Sequence, residues 1–160
     1  MSARTLLIVI VGLAAVIEDM GWRRISNWTT GGALVAGLIV HFLQRSWSGV
    51  LHSLLGAAIG FAAFLVFYLL GGMGGGDVKL MAGFGALLGD SRILPAALLA
   101  AASGGVIALG YLAVRSLFRR LKIGFGIAVQ DAAGGAESRE SIPYAPAITA
   151  GVWLALISEI

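Results

Sequence analysis

Residues 50–70 read VLHSLLGAAIGFAAFLVFYLL, from Val50 to Leu70, with no Asp, Glu, Lys or Arg among them. A run of about 20 predominantly apolar residues is what a helix needs to cross the hydrocarbon of a bilayer. Ile93–Val114 is a second run of that length. Four shorter apolar stretches surround these two: Thr5–Ile17, Thr30–Leu43, Val78–Gly89 and Pro143–Ile157. The breaks between them carry charge or glycine, at Glu18–Asn27, Gln44–Gly49, Gly71–Asp77, Asp90–Arg92 and Arg115–Ile142. No stretch shows the alternation of a membrane β-strand. The expectation is an all-α polytopic membrane protein, one domain over 1–160, with about six transmembrane helices.

Composition agrees. Of 160 residues 59% are hydrophobic and only 12% are charged, about half the charged share of a soluble domain. The 24 glycines suit close-packed membrane helices. Small-residue pairs at spacing four, Gly56/Gly60 and Gly85/Gly89, permit close helix contact. The absence of cysteine excludes disulfides, thiolate metal sites and cysteine nucleophiles. The net charge of +3 is spread along the chain, and no Lys/Arg run is dense enough for a nucleic-acid partner. Arg4 and Thr5–Ile17 have the outline of a signal peptide, but no A-x-A site follows, so the segment reads as a first helix.

Basic residues set a direction. If six helices start outside, the inner loops hold Arg23, Arg24, Lys79, Arg115, Arg119, Arg120, Lys122 and Arg139, and the outer side holds only Arg4, Arg45 and Arg92. That bias obeys the positive-inside rule. The connections after Ile17, Leu70 and Val114 are then cytoplasmic. Trp22 and Trp28 fall at the inner interface and Trp47 at the outer. Arg115–Lys122 has the composition of a surface amphipathic helix, and Ser141 before Pro143 suits a helix start.

Charged groups at membrane depth are costly and usually functional. Asp90 reads as an outer-turn residue, Asp131, Glu137 and Glu140 as loop residues and Glu159 as terminal. Asp19 and Asp77 differ, because each ends or begins an apolar stretch on the same, inner side. Thr5 to Asp19 is about 21 Å of helix and Asp77 to Gly89 about 18 Å, against hydrocarbon about 30 Å thick. If both helices start at the outer interface, both carboxylates stop roughly 10 Å short of the inner one. Two carboxylates sharing a low-dielectric pocket do not both ionise cheaply. The ionised one can take a proton from water while the protonated one polarises a peptide carbonyl. The plainer reading is that each Asp caps a helix or pairs with Arg23, Arg24 or Lys79. Gly71-Gly72-Met73-Gly74-Gly75-Gly76 before Asp77 favours the chemical reading. Such a run resists helix formation and allows another backbone to approach.

Gly74-Gly75-Gly76-Asp77 fits the G-x-G-D motif of intramembrane aspartyl proteases, and its extension through Val78-Lys79-Leu80 resembles the form found in prepilin peptidases. Asp19 followed by Arg23-Arg24-Ile25-Ser26-Asn27 resembles that family's Asp with R-R-I-P-N. Ile142-Pro143-Tyr144-Ala145-Pro146-Ala147 resembles its I-P-Y-G-P-A. The three come in family order over most of the chain. The resemblance implies an aspartic endopeptidase with Asp19 and Asp77 as its catalytic pair and no metal or cofactor. Gly74, Gly76, Lys79, Arg23, Arg24 and Asn27 match the motifs and are expected to support the site or bind substrate. The implied partners are prepilin or pseudopilin precursors, whose short basic leader is cut at the cytoplasmic face of the cell (inner or plasma) membrane. Membrane lipid surrounds the protein, and a homo-oligomer is left open. Ser26 stands where the family has Pro, which would loosen the turn after Asp19, and Ala145 stands where Gly is common. The chain lacks the length and cysteines of the larger members' methyltransferase segment. It resembles the short, peptidase-only type of tight-adherence (Flp) pilus systems and archaeal preflagellin processing.

His41 and His52 fall on the outer side, away from the aspartates, and read as packed or interfacial. Met73 and Met81 read as packing, and Glu18 as pointing away from Asp19. Two other classes compete: a catalytically silent scaffold of a pilus or secretion system, and a small cation-coupled carrier. Either would leave leader removal indifferent to both aspartates.

Overall fold

The computed structural model describes residues 2–124 and 144–157. These residues are helical with no strand among them: α1 (Ala3–Trp22), α2 (Asn27–Leu69), α3 (Gly75–Leu88), α4 (Asp90–Gly124) and α5 (Ala145–Ile157). Ser2 caps α1, its Oγ accepting from the Thr5 N–H at 3.2 Å, and Ser26 caps α2 in the same manner through the Trp28 N–H at 3.1 Å. Such caps satisfy donors that the first helical turn leaves unpaired.

α2 is two helices joined at Ser46, the one interior residue with non-helical angles (φ 56°, ψ −139°). A straight helix of 43 residues would run about 64 Å, twice the hydrocarbon thickness. Its contacts with α3 show that the chain turns back. Ascending the first half, Ala33 and Thr30 face Gly83, Gly37 faces Ala86, and His41 Nε2 lies 3.2 Å from the Leu87 carbonyl oxygen. Along the second half the order reverses: Ser53 Oγ donates to the Ala86 carbonyl at 2.9 Å, Gly56 abuts Gly85, and Gly60 abuts Met81. Phe42 and Trp47 meet edge to face across the turn, with ring centroids 5.7 Å apart. The halves therefore form an antiparallel pair clasping α3.

α3 is the centre of the molecule. Every residue from Val78 to Leu88 is buried except Lys79, and both halves of α2, α4, α1 and α5 pack around it. A helix that is apolar on all sides belongs inside protein or lipid, and this one is inside protein. Leu80, Met81, Phe84 and Leu87 join Ile8, Phe64, Ile93, Ile148 and Val152 in one core. Close approach depends on the absence of side chains. A Cβ at Gly56 would strike the Gly85 carbonyl and the Gly89 backbone. Both small-residue pairs read from the sequence lie at this seam. The outside is apolar too: Leu6, Ile10, Leu13, Ile17, Leu51, Phe61, Val66, Leu94 and Leu98 are all exposed. An apolar surface of that extent marks contact with something other than water, and lipid fits.

Among the described residues three helices are long and apolar enough to cross a membrane, Ala3–Trp22, Asn27–Leu69 and Asp90–Ile107, against the six read from the sequence. The difference has physical causes. Thr30–Leu43 and Val50–Leu70 both lie within the range of α2, yet they are the two separate helices read from the sequence, because α2 turns back at Ser46. Val78–Gly89 and Pro143–Ile157 correspond to helices of 14 and 13 residues, shorter than the about 20 of a full span. Several boundaries shift as well. α1 continues through Glu18 and Asp19 to Trp22, and α4 starts at Asp90 directly after Gly89 (φ 83°). Arg115–Lys122 is the continuation of α4 rather than a separate helix. Arg139, Asp131, Glu137, Glu140 and Ser141–Pro143 lie outside the described residues.

Candidate active site

The last turn of α1, the first turn of α3 and the start of α5 meet at one end of the bundle. Asp19, from α1, is 8% exposed, and Asp77, from α3, is 7% exposed. α1 touches both α3 and α5.

Each carboxylate accepts a backbone N–H. Asp77 is the third residue of α3, and its Oδ2 accepts from the Gly74 N–H at 3.2 Å, the half of a capping box that an acidic residue at this position makes. The Asp77 N–H in turn donates to the Gly74 carbonyl at 3.2 Å. Of the glycine run, Gly71–Gly74 is non-helical, with Gly71 at φ 76°, whereas Gly75 and Gly76 are helical. The expected resistance to helix thus ends two residues early, because this cap repays the first turn. A Cβ at Gly76 would make ordinary contact with Ile25 at 3.4 Å, so the start of α3 lies against the α1–α2 connection.

Asp19 is held from much farther along the chain. Its Oδ2 accepts from the Ala145 N–H at 3.0 Å, across 126 positions. Ala145 opens α5, so the carboxylate sits at the positive end of a helix dipole, where negative charge is stabilised. Ser103 on α4 fixes α5 by donating to the Ala147 carbonyl at 2.7 Å. Gly151 allows the α5 backbone to lie directly on Leu99 and Ala100.

The supporting residues divide into two groups. Lys79 Nζ donates to Asn27 Oδ1 at 3.1 Å, tying the start of α2 to α3 beside Asp77. Arg23 ends α1 in the left-handed conformation (φ 52°), its N–H returning to the Asp19 carbonyl. Arg24 lines an open surface pocket with Glu18, Trp22, Ile25, Ser26 and Asn27. Trp22 and Trp28 are both exposed beside it. Among the described residues, no ion pair joins Arg23, Arg24 or Lys79 to either aspartate within 4.0 Å.

Glu18 points away from Asp19 and has its own task. Its Oε2 accepts from the Ser26 N–H at 2.7 Å and its Oε1 from the Thr29 hydroxyl at 2.6 Å. The turn with Ser in place of Pro is therefore pinned rather than loosened, since proline has no N–H to offer. His41 and His52 stand at the opposite end of the bundle. His41 is buried against α3, and His52 Nδ1 lies 2.9 Å from Asp90 Oδ1. Asp90, assigned to an outer turn, is thus a partner of His52. Among the described residues, no three of His, Cys, Asp and Glu gather as metal ligands.

Two features were not legible in the sequence: the Ala145 N–H as a partner of Asp19, and an apolar cavity. The cavity, about 210 Å³, lies among α2, α4 and α5 and is lined by Phe64, Phe67, Met73, Gly104, Tyr144 and neighbouring small residues. The only available signal was the break before Tyr144, which marks where a helix N-terminus would fall.

The sequence model of the type IV leader peptidase family matches residues 6–109. No curated protein and no solved structure matches the chain.

Proposed function

Because the chain belongs to the type IV leader peptidase family, we propose that it is an aspartic endopeptidase that removes leader peptides from prepilin or pseudopilin precursors, with Asp19 and Asp77 as the catalytic pair. The observation that supports this reading is the burial of two carboxylates from separate helices at one end of the bundle, each accepting one backbone N–H. A pair at close quarters shares one proton, because two buried like charges repel. The ionised member removes a proton from water, and the protonated member donates to the peptide carbonyl as the water attacks. As the gem-diol collapses, the newly protonated member protonates the leaving amine and the other takes a proton back from a gem-diol hydroxyl, which returns the pair to its starting state. The glycines at 74–76 leave room for a substrate backbone beside Asp77.

In this reading the chain crosses the cell membrane six times, α2 contributing two crossings, and the aspartate end faces the cytoplasm. The basic cluster Arg23, Arg24 and Lys79 on that end supports the orientation. Lys79 and Asn27 hold α2 to α3 so that the Gly74–Asp77 turn keeps its shape.

The test is co-expression of candidate precursors with the wild type, Asp19→Asn and Asp77→Asn, following leader removal by mass. Loss of processing in both variants, with normal membrane insertion, is expected. Unchanged processing in either refutes the assignment. Aspartate-dependent ion flux without cleavage would identify a carrier instead.

A further inference from the structure

We propose that Ser103 on α4 is a positioning residue for the reaction, acting through α5 and its Ala145 N–H to set the carboxylate of Asp19. This rests on the peptidase reading above.

Asp19 belongs to α1, but the donor it faces belongs to α5. A hydrogen bond weakens steeply as its angle closes, so the placing of the α5 start decides how well Asp19 is held. α5 packs chiefly on α4, and two contacts set the register of that pair. At the first, the backbones meet directly, because a Cβ at Gly151 would strike Ala100. At the second, one turn nearer the start of α5, Ser103 Oγ donates to the Ala147 carbonyl at 2.7 Å. Gly104 widens the second contact to both sides of the donor. A Cβ there would lie 3.7 Å from Tyr144 and 3.8 Å from Ala147. Ala145 stands between these two residues, about 3 Å along the helix axis from Ala147. The hydroxyl of Ser103 is thus a polar tie within one turn of the N–H that Asp19 accepts.

The choice of partner points the same way. A serine hydroxyl carries one proton, and Ser103 has an acceptor in its own helix, the Ala100 carbonyl at 3.0 Å. Satisfying the side chain requires nothing from α5. The shorter contact nevertheless crosses to α5. A carbonyl oxygen has two lone pairs, so Ala147 accepts this bond without leaving its place in the helix. Interhelical hydrogen bonds in membranes are individually weak. Removing the hydroxyl therefore leaves Ala100 packed on Gly151 and the fold in place, while the first turn of α5 loses its tie.

The experiment uses the full chain in proteoliposomes and one precursor-derived peptide. Ser103→Ala is expected to lower kcat about three- to tenfold, the range of one interhelical hydrogen bond, with KM changed by less than about twofold. Ser103→Thr keeps the hydroxyl and is expected to hold kcat within about twofold of wild type. Ala145→Pro has no N–H left to position, so adding Ser103→Ala to it is expected to change kcat by less than about twofold. A serine that serves the fold alone would lower kcat by the same factor in both backgrounds, and that result overturns the proposal. Wild-type kcat in Ser103→Ala overturns it as well, as does a Ser103→Thr variant as slow as Ser103→Ala. Each of these leaves the peptidase reading intact. A wild type that cleaves no precursor overturns both.

Discussion

Replacing Ser26 with proline should destabilise the protein by about 2 kcal/mol, and nearly all of that loss should vanish when Glu18 is absent. Ser26 sits at φ −66° and ψ 142°, angles that proline adopts without strain, and residues 23–26 are non-helical. The backbone therefore accepts Ser26→Pro, and the stiffer unfolded chain contributes a gain of about 0.4–1 kcal/mol. Against it stand two losses. The Ser26 N–H no longer reaches Glu18, a 2.7 Å bond to a carboxylate worth about 1.5–3 kcal/mol. The lower end applies, because Glu18 is only partly buried. The Ser26 Oγ cap on the Trp28 N–H accounts for about 1 kcal/mol more. In a Glu18→Ala background the first loss has already occurred, so Ser26→Pro should then cost only a few tenths of a kcal/mol. The coupling, about 1.5 kcal/mol, can be read from reversible unfolding of the four proteins in mixed micelles. Additivity within about 0.5 kcal/mol would mean that Glu18 does not hold this turn, and the account of Ser26 would fail.

Ala145→Pro removes the N–H that holds Asp19 while keeping a residue that the first turn of a helix tolerates. Cleavage should fall about 10–100-fold, as losing a charge-assisted bond implies, while thermal stability in micelles changes little; full activity would show that the bond is dispensable. Gly56→Ala forces a Cβ into the Gly85 carbonyl and should cost about 1–3 kcal/mol. Gly21→Ala, where nothing lies within 4 Å, should stabilise by up to about 1 kcal/mol, and melting curves that rank the two alike would refute the seam. The rate of leader removal should be bell-shaped in pH, falling in acid when both carboxylates are protonated and in base when both are ionised. A profile with one limb in proteoliposomes would refute a shared proton.

Much was legible along the chain because lipid-facing helices announce themselves by length and apolarity alone. Among the described residues the six apolar stretches coincide with helices apart from a residue at some of their ends, and the contact of Gly56 with Gly85 lies where small residues at spacing four suggested close approach. The interruption of the helix by the glycine run was also legible, as far as Gly74, where the Asp77 cap begins α3. Element ends were not. α1 runs past Asp19 because Glu18 finds partners at Ser26 and Thr29, an arrangement that depends on the path of the following turn. The central place of α3 was hidden for a related reason: an apolar helix surrounded by protein and one surrounded by lipid have the same composition.

The sequence by itself determined the class of solvent, the helical class and the two acidic residues that break the apolar pattern, since each is a property of one residue or one local run. Only the tertiary structure decided that α3 is enclosed and that the N-terminus of α5 reaches Asp19 across 126 positions. Those are contacts between surfaces. Which backbone groups meet depends on helix packing summed over many weak interactions, and that sum cannot be evaluated until the chain is folded.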